Sequence, residues 1–209
     1  MSDMPDKQHW ERVYTHQRAD AVSWFQPHAG QSLQLIRDAG LARSAPIIDV
    51  GGGASTLVDD LLADGREALT VLDLSAAALA TARARLGARA AAVQWLEANI
   101  LDAPLPAQAY ALWHDRAVFH FLTSPADRAA YVRAVLHAVK PGGHVIVATF
   151  DHDGPSQCSG LPVARYNADE LHAEFGAPFT LLRHAQERHV TPAGAVQRFV
   201  YCFCRRAAS

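Results

Sequence analysis

Three consecutive glycines, Gly51-Gly52-Gly53, close an apolar run over 46–50, and a carboxylate, Asp73, stands about twenty positions beyond them. Glycine allows a sharp turn and a close backbone approach to a ligand, and a helix opening near Ser55 aims its N-terminal dipole at the same point. A carboxylate at the end of the neighbouring strand accepts hydrogen bonds from both hydroxyls of a ribose. The combination points to a nucleoside-bearing ligand. Asp49, just before the glycines, would repel a pyrophosphate but suits a cationic amino group. Thr56 stands where the third glycine of a G-x-G-x-x-G fingerprint belongs. Both count against a nicotinamide-dependent oxidoreductase, which stays the weaker alternative beside a non-catalytic nucleoside-binding module.

Groups able to act on a second substrate lie elsewhere. Arg116, in the run His114-Asp115-Arg116, can steady an anionic nucleophile such as a thiolate, because a nearby guanidinium lowers a thiol's pKa. Its alternative is a structural ion pair with Asp115. His114 either has a functional role or is a satisfied strand-end histidine. The segments 9–14 and 22–27 hold two of the four tryptophans, Trp10 and Trp24, with Phe25 beside the second. Such rings can close a lid over a cation, or Trp10 and Tyr14 can pack an amphipathic helix on a sheet edge. The stretch 151–166, of Gly/Pro/Ser-containing loop composition, carries Cys158, Arg165 and Tyr166 and is a candidate acceptor gate. A lone cysteine is more often inert filler, the reading preferred for Cys158; Cys202 and Cys204 share one strand face and pack.

A frame of alternating elements must hold these residues. Strands are expected over 46–50, 68–72, 93–96, 110–113 and 144–150, with helices between them, the pattern of a parallel sheet covered on both faces. Ser75 and the pair Ser124-Pro125 mark helix starts, and Pro141-Gly142-Gly143 is expected to stop the helix running towards Lys140. Arg83, Arg85 and Arg89 form a solvated face. After 151 the order changes: Asn167 caps a helix through Phe175, and strands over 179–182 and 196–204, turning around Thr191–Gly194, can only pair antiparallel. The expected fold is α/β, a Rossmann-like seven-stranded sheet with helices on both faces and a C-terminal antiparallel strand pair. One domain is expected, divided into a helical lid or cap (1–45), a ligand-binding core (46–150) and an acceptor-side loop, helix and strand pair (151–209).

A chain of 209 residues, half of them hydrophobic, is long enough to bury a full core. Its 19 basic and 21 acidic residues leave a net charge of −2, which supplies no general attraction for nucleic acid or anionic lipid. Residues 1–7 read as neither a signal nor a transit peptide, and no apolar stretch reaches membrane-spanning length. Three cysteines without metal-ligand spacing suit a reducing compartment, so a cytoplasmic protein without a bound metal is expected.

The segments IIDVGGG, LTVLDLS, EANILD, WHDRAVFHFL and KPGGHVIVATF, over about 46–150, resemble the motif series of class I S-adenosylmethionine-dependent methyltransferases. The resemblance implies S-adenosyl-L-methionine as cofactor, with Asp49, Gly51 and Gly53 holding its methionine part and Asp73 its ribose. Leu74 and Ile100 would line the nucleoside. Asn99 stands where relatives place an Asp facing the adenine amino group, and His114 where the chain borders the methyl. Asp115-Arg116-Ala117, followed by Asp127-Arg128 and Tyr131, is similar to a stretch of thiopurine and small-thiol methyltransferases. The aromatic N-terminus is similar both to those enzymes and to a group of protein-lysine methyltransferases. A small-molecule acceptor, a thiol or other soft nucleophile foremost, is expected, with His114, Asp115 and Arg116 as catalytic candidates and Trp24, Phe25, Arg116, Cys158, Arg165 and Tyr166 as acceptor contacts. Protein-lysine methylation is the alternative.

Overall fold

The computed structural model describes residues 6–208; the expected lack of a targeting segment over residues 1–5 lies outside them. Five parallel strands form the centre of the sheet: β1 (Ile47–Val50), β2 (Leu69–Asp73), β3 (Val93–Glu97), β4 (Tyr110–Arg116) and β5 (Val139–Phe150). The short strands β6 (Gln157–Cys158) and β7 (Leu161–Pro162) pair with each other alone. β8 (Phe179–Val190) and β9 (Val196–Arg206) complete an order of β3-β2-β1-β4-β5-β9-β8, with β9 antiparallel to β5 and β8 antiparallel to β9. Sheet growth reverses between β1 and β4, and at such a switch point the strand ends part and leave a crevice.

Strand alternation divides the core into two layers. Ile146, Ala148 and Phe150 of β5 pack with Leu35, Ile36, Leu57 and Leu79, whereas Val145 and Val147 pack with Tyr131, Val135, Leu171 and Phe175. One face is therefore covered by α2 (Gly30–Asp38), α3 (Leu57–Ala63) and α4 (Ala76–Leu86), and the other by α5 (Pro125–Ala138) and α6 (Ala168–Phe175). A further helix, α1 (Lys7–His16), packs against α4. Ser75 accepts from the Ala78 N–H, Ser124 from that of Asp127, and Asn167 with Glu170 forms a capping box, so each of these helices begins where its sequence signals place it.

Four expectations are corrected. α5 ends at Ala138, and Lys140 to Gly143 belong to the irregular start of β5, where the register shifts between Tyr110 and Leu112. Proline lacks the ladder N–H, and a Cβ on Gly143 would lie 2.8 Å from the Lys140 carbonyl oxygen, so these residues shape a bulge more than a helix stop. The stretch 151–166 is not all loop, since it contains the β6–β7 hairpin. β8 and β9 outrun the expected strands because an edge strand tolerates the polar run 183–189, which carries no strand signal of its own. Arg85 does more than face solvent: it donates to the carbonyls of Ala54 (2.8 Å) and Ser55 (2.6 Å) and pairs with Asp59, bracing the segment after the glycines. Among the described residues, no helix is long and apolar enough to cross a membrane.

Candidate active site

The crevice opens into two chambers of about 670 and about 560 Å³, whose walls share Tyr14, Trp24, Gly51 and Arg116. The glycine turn forms their common floor. Gly51 has φ +67°, and a Cβ there would meet the Val118 side chain at 2.0 Å; one on Gly53 would lie 2.5 Å from Asp73 Oδ2, and one on Gly52 2.5 Å from Asp49 Oδ2. Absent side chains thus let two carboxylates close in on the turn.

Asp73 ends β2 in the wall of the larger chamber, together with Leu74, Ala98 and Ile100. Its Oδ1 accepts from the Ser75 N–H at 2.8 Å. Burial raises its carboxyl to about 7; the Ser75 N–H opposes the shift, and the negative charges of Asp49 and Glu11 add to it. Asn99 lies outside the lining, and its side-chain oxygen takes the Leu101 N–H at 3.0 Å, so an Asx turn occupies the atom expected to face an adenine.

Asp49 and His114, neighbours across β1 and β4, line the second chamber. His114 Nδ1 donates to Asp49 Oδ1 at 2.7 Å, and Nε2 lies 2.8 Å from the buried Ser32 hydroxyl. One Asp49 oxygen and both imidazole nitrogens are therefore engaged within the protein.

Asp115 and Arg116 point to opposite faces of β4 and do not pair. Asp115 is fully buried on the α5 side and accepts from the N–H groups of Val118 (2.9 Å) and Phe119 (3.0 Å) and from the Tyr131 hydroxyl. Burial raises it to about 6, and it lines neither chamber, which makes it a brace of the turn after β4. Arg116 lines both chambers. Its Nε–H and Nη2–H donate to Glu187 Oε2 at 3.2 and 3.1 Å, Nε–H also to the Tyr201 hydroxyl at 3.0 Å, and Nη1–H to the Trp24 carbonyl at 3.3 Å, with the guanidinium 4.0 Å above the Phe199 ring.

The remaining acceptor candidates divide. Trp24 reaches both chambers and Phe25 the second. Cys158, at the tip of the β6–β7 hairpin, lines the larger chamber, and burial pushes its thiol up to about 12 against the opposing influence of Arg116, so it is not a thiolate near neutrality. Arg165 instead donates to the carbonyls of His152 (2.9 Å) and Gly154 (3.1 Å) and braces its own loop. Tyr166 is buried against Phe119, in neither lining.

Of the two placements open to the N-terminal aromatics, the structure takes the one over the cavity. Trp10 and Tyr14 line the larger chamber, Trp10 lying 5.8 Å from Trp24 and 5.2 Å from Phe121 between ring centres. Glu11 accepts from the N–H groups of Ala76 (2.6 Å) and Ala77 (3.2 Å), which fastens α1 to the start of α4. Glu11, Gln26, Ser32, Glu187 and Tyr201 escaped the sequence reading, and only the acidic residue in an aromatic N-terminal helix offered any signal.

Residues 47–143 match the model of a methyltransferase domain family. Over just under half of its length the chain is thus similar to a methyltransferase domain. It is 28% identical over 133 residues to the ubiquinone biosynthesis O-methyltransferase of Serratia proteamaculans (strain 568), a match covering 63% of this chain and 54% of that protein. The chain thus spans about half the length of this curated relative. Its fold is shared with a structure solved for the conversion of a disulfide bond into a thioacetal group during echinomycin biosynthesis (TM-score 0.76, 20% identity, 97% of this chain and 93% of the other). It is also that of the N-methyltransferase NodS from Bradyrhizobium japonicum WM9 in complex with S-adenosyl-L-homocysteine (TM-score 0.69, 16% identity, 94% and 97%).

The residues fit the cofactor. A carboxylate raised to about 7 by burial suits ribose hydroxyls, apolar Leu74, Ala98 and Ile100 suit a purine, and the rings of Trp10, Tyr14 and Trp24 suit a sulfonium. Among the described residues, no group of three or more His, Cys, Asp or Glu is placed to hold a metal ion.

Proposed function

We propose that the protein methylates a small-molecule acceptor at a soft nucleophilic atom, a thiol sulfur foremost. S-adenosylmethionine, when bound, supplies an electrophilic methyl on a sulfonium; the chain has to align the acceptor, exclude water and leave its nucleophile ionised. The observation that carries the reading is the make-up of the larger chamber. With Asp73 committed to the ribose in this reading, the remaining titratable lining consists of Tyr14, Cys158 and Arg116, the first two raised by burial and the third a cation, so none of these three serves as a base near neutrality. Hydroxyl acceptors, which are hardly ionised near neutrality, need such a base. A thiol with a pKa of ~8.5 is already a few per cent thiolate at neutral pH and so depends least on a base in the chamber.

The aromatic roof of Trp10, Tyr14 and Trp24 supports a compact acceptor, and one solved neighbour takes part in sulfur chemistry, while the curated relative is named for oxygen. The test is a screen with methyl-labelled cofactor against small thiols, phenols, amines and a panel of cell proteins. Label should pass to a small thiol. Transfer only to phenols or amines would overturn the choice of atom, and label on protein lysines would overturn the small-molecule reading.

A further inference from the structure

Arg116 carries the only permanent positive charge among the described residues lining either chamber, in a space that must accept a sulfonium. Like charges confined to one partly dehydrated chamber repel. The edge strand β8 supplies the counter-charge. Glu187 Oε2 receives two N–H groups of Arg116 and the Tyr201 hydroxyl (2.8 Å), while Oε1 receives the Gln26 side-chain amide. Both ends of the ion pair are nearly buried, with side chains 10% and 12% exposed. Burial alone would raise the Glu187 carboxyl, but Arg116, Tyr201 and Gln26 hold it below the ordinary range.

Resting on the methyltransferase reading of this site, we infer that Glu187 sets the charge of the transfer chamber. By cancelling Arg116 it lets the chamber hold a cationic cofactor and selects thiols that bear no permanent negative charge. A carboxylated acceptor would lose its hydration and find only a neutralised pair in return, with Asp73 and Asp49 close by. Glu187 touches neither chamber; it acts through Arg116, as a positioning and specificity-determining residue.

Glu187→Gln is nearly isosteric, and the Gln26 amide can turn its oxygen to meet the new NH2 group. In this variant, calorimetric affinity for S-adenosylmethionine should fall by about tenfold relative to that for uncharged S-adenosylhomocysteine. The kcat/KM preference should move towards mercaptoacetate and away from ethanethiol by about the same factor. Arg116→Gln leaves Glu187 unpaired and should shift the cofactor ratio the opposite way. The double variant should bring it back to within about threefold of the parent, since charge and not packing is restored.

Single variants that bind S-adenosylhomocysteine yet show the parent's cofactor ratio would overturn the inference. If Glu187→Gln does not fold, Arg116→Gln alone decides, an unmoved ratio there being fatal. A parent protein that methylates no thiol would sink the proposed acceptor, but the cofactor ratio would still read the charge role.

Discussion

Asp73 bears a carboxyl lifted from 3.8 to about 7, first by burial and then by the negative charges of Asp49 and Glu11. In the free protein it keeps a proton that the unfolded chain has already released between these values. Its contribution to the stability of the free protein therefore falls as pH rises through that window. Two ribose hydroxyls donate more strongly to the ionised form, so cofactor binding below about pH 7 favours loss of the proton. Affinity for S-adenosylhomocysteine should weaken as pH falls below that point, approaching tenfold per unit, and level off above it. Calorimetry from about pH 5 to 8 measures this, and an Asp73→Asn protein with the same slope would refute the assignment. Asp73→Ala should cost at least about tenfold in affinity at pH 8, because charge-assisted bonds contribute ~1.5 to 3 kcal/mol each. Parental affinity in that variant would move the ribose elsewhere.

Between elements, α1 is held by Glu11 on two N–H groups of α4 and by an exposed ion pair from Lys7 to Glu97, while its rings roof the chamber. An exposed pair contributes little, so Glu11 at the positive end of α4 is the stronger tie, comparable to a helix cap at about 1 kcal/mol. Glu11→Ala should speed amide exchange across α1 several-fold while leaving β1 and β4 protected, and the acceptor's KM should rise. Unchanged exchange in α1 would show that the aromatic contacts alone hold the roof. Below it, the strap of residues 17–29 between α1 and α2 is tied to the terminal strand pair. His189 Nε2 lies 2.7 Å from the Ser23 carbonyl, and Gln26 reaches Glu187.

Across the whole molecule, both chambers lie where β1, β2 and β4 end, against helices of one face. A ligand bound there ties α1, the strap and the sheet together. S-adenosylhomocysteine at a hundred times its Kd should stabilise the fold by about 2.7 kcal/mol, a melting-temperature rise of roughly 5 to 10 °C for a chain of this size. NADH at the same concentration should produce none. A reversed pattern in thermal unfolding would restore the oxidoreductase alternative.

Strand and helix order, the caps at Ser75, Ser124 and Asn167, and the pairing of a glycine turn with Asp73 could all be read from the chain alone. Each depends on residues a few positions apart, or on a repeat of strand and helix that only a parallel sheet accommodates. Partnerships across the fold could not. Asp115 and Arg116 are adjacent in the chain, but strand alternation sends one to Tyr131 and the other to Glu187 and Tyr201, far along the sequence on β8 and β9. Asn99 is spent on its own turn, Cys158 is buried with its proton, and Trp10 and Tyr14 roof a cavity instead of a sheet edge. These outcomes depend on strand register, burial and the contacts of distant segments, for which no short stretch of sequence carries a signal.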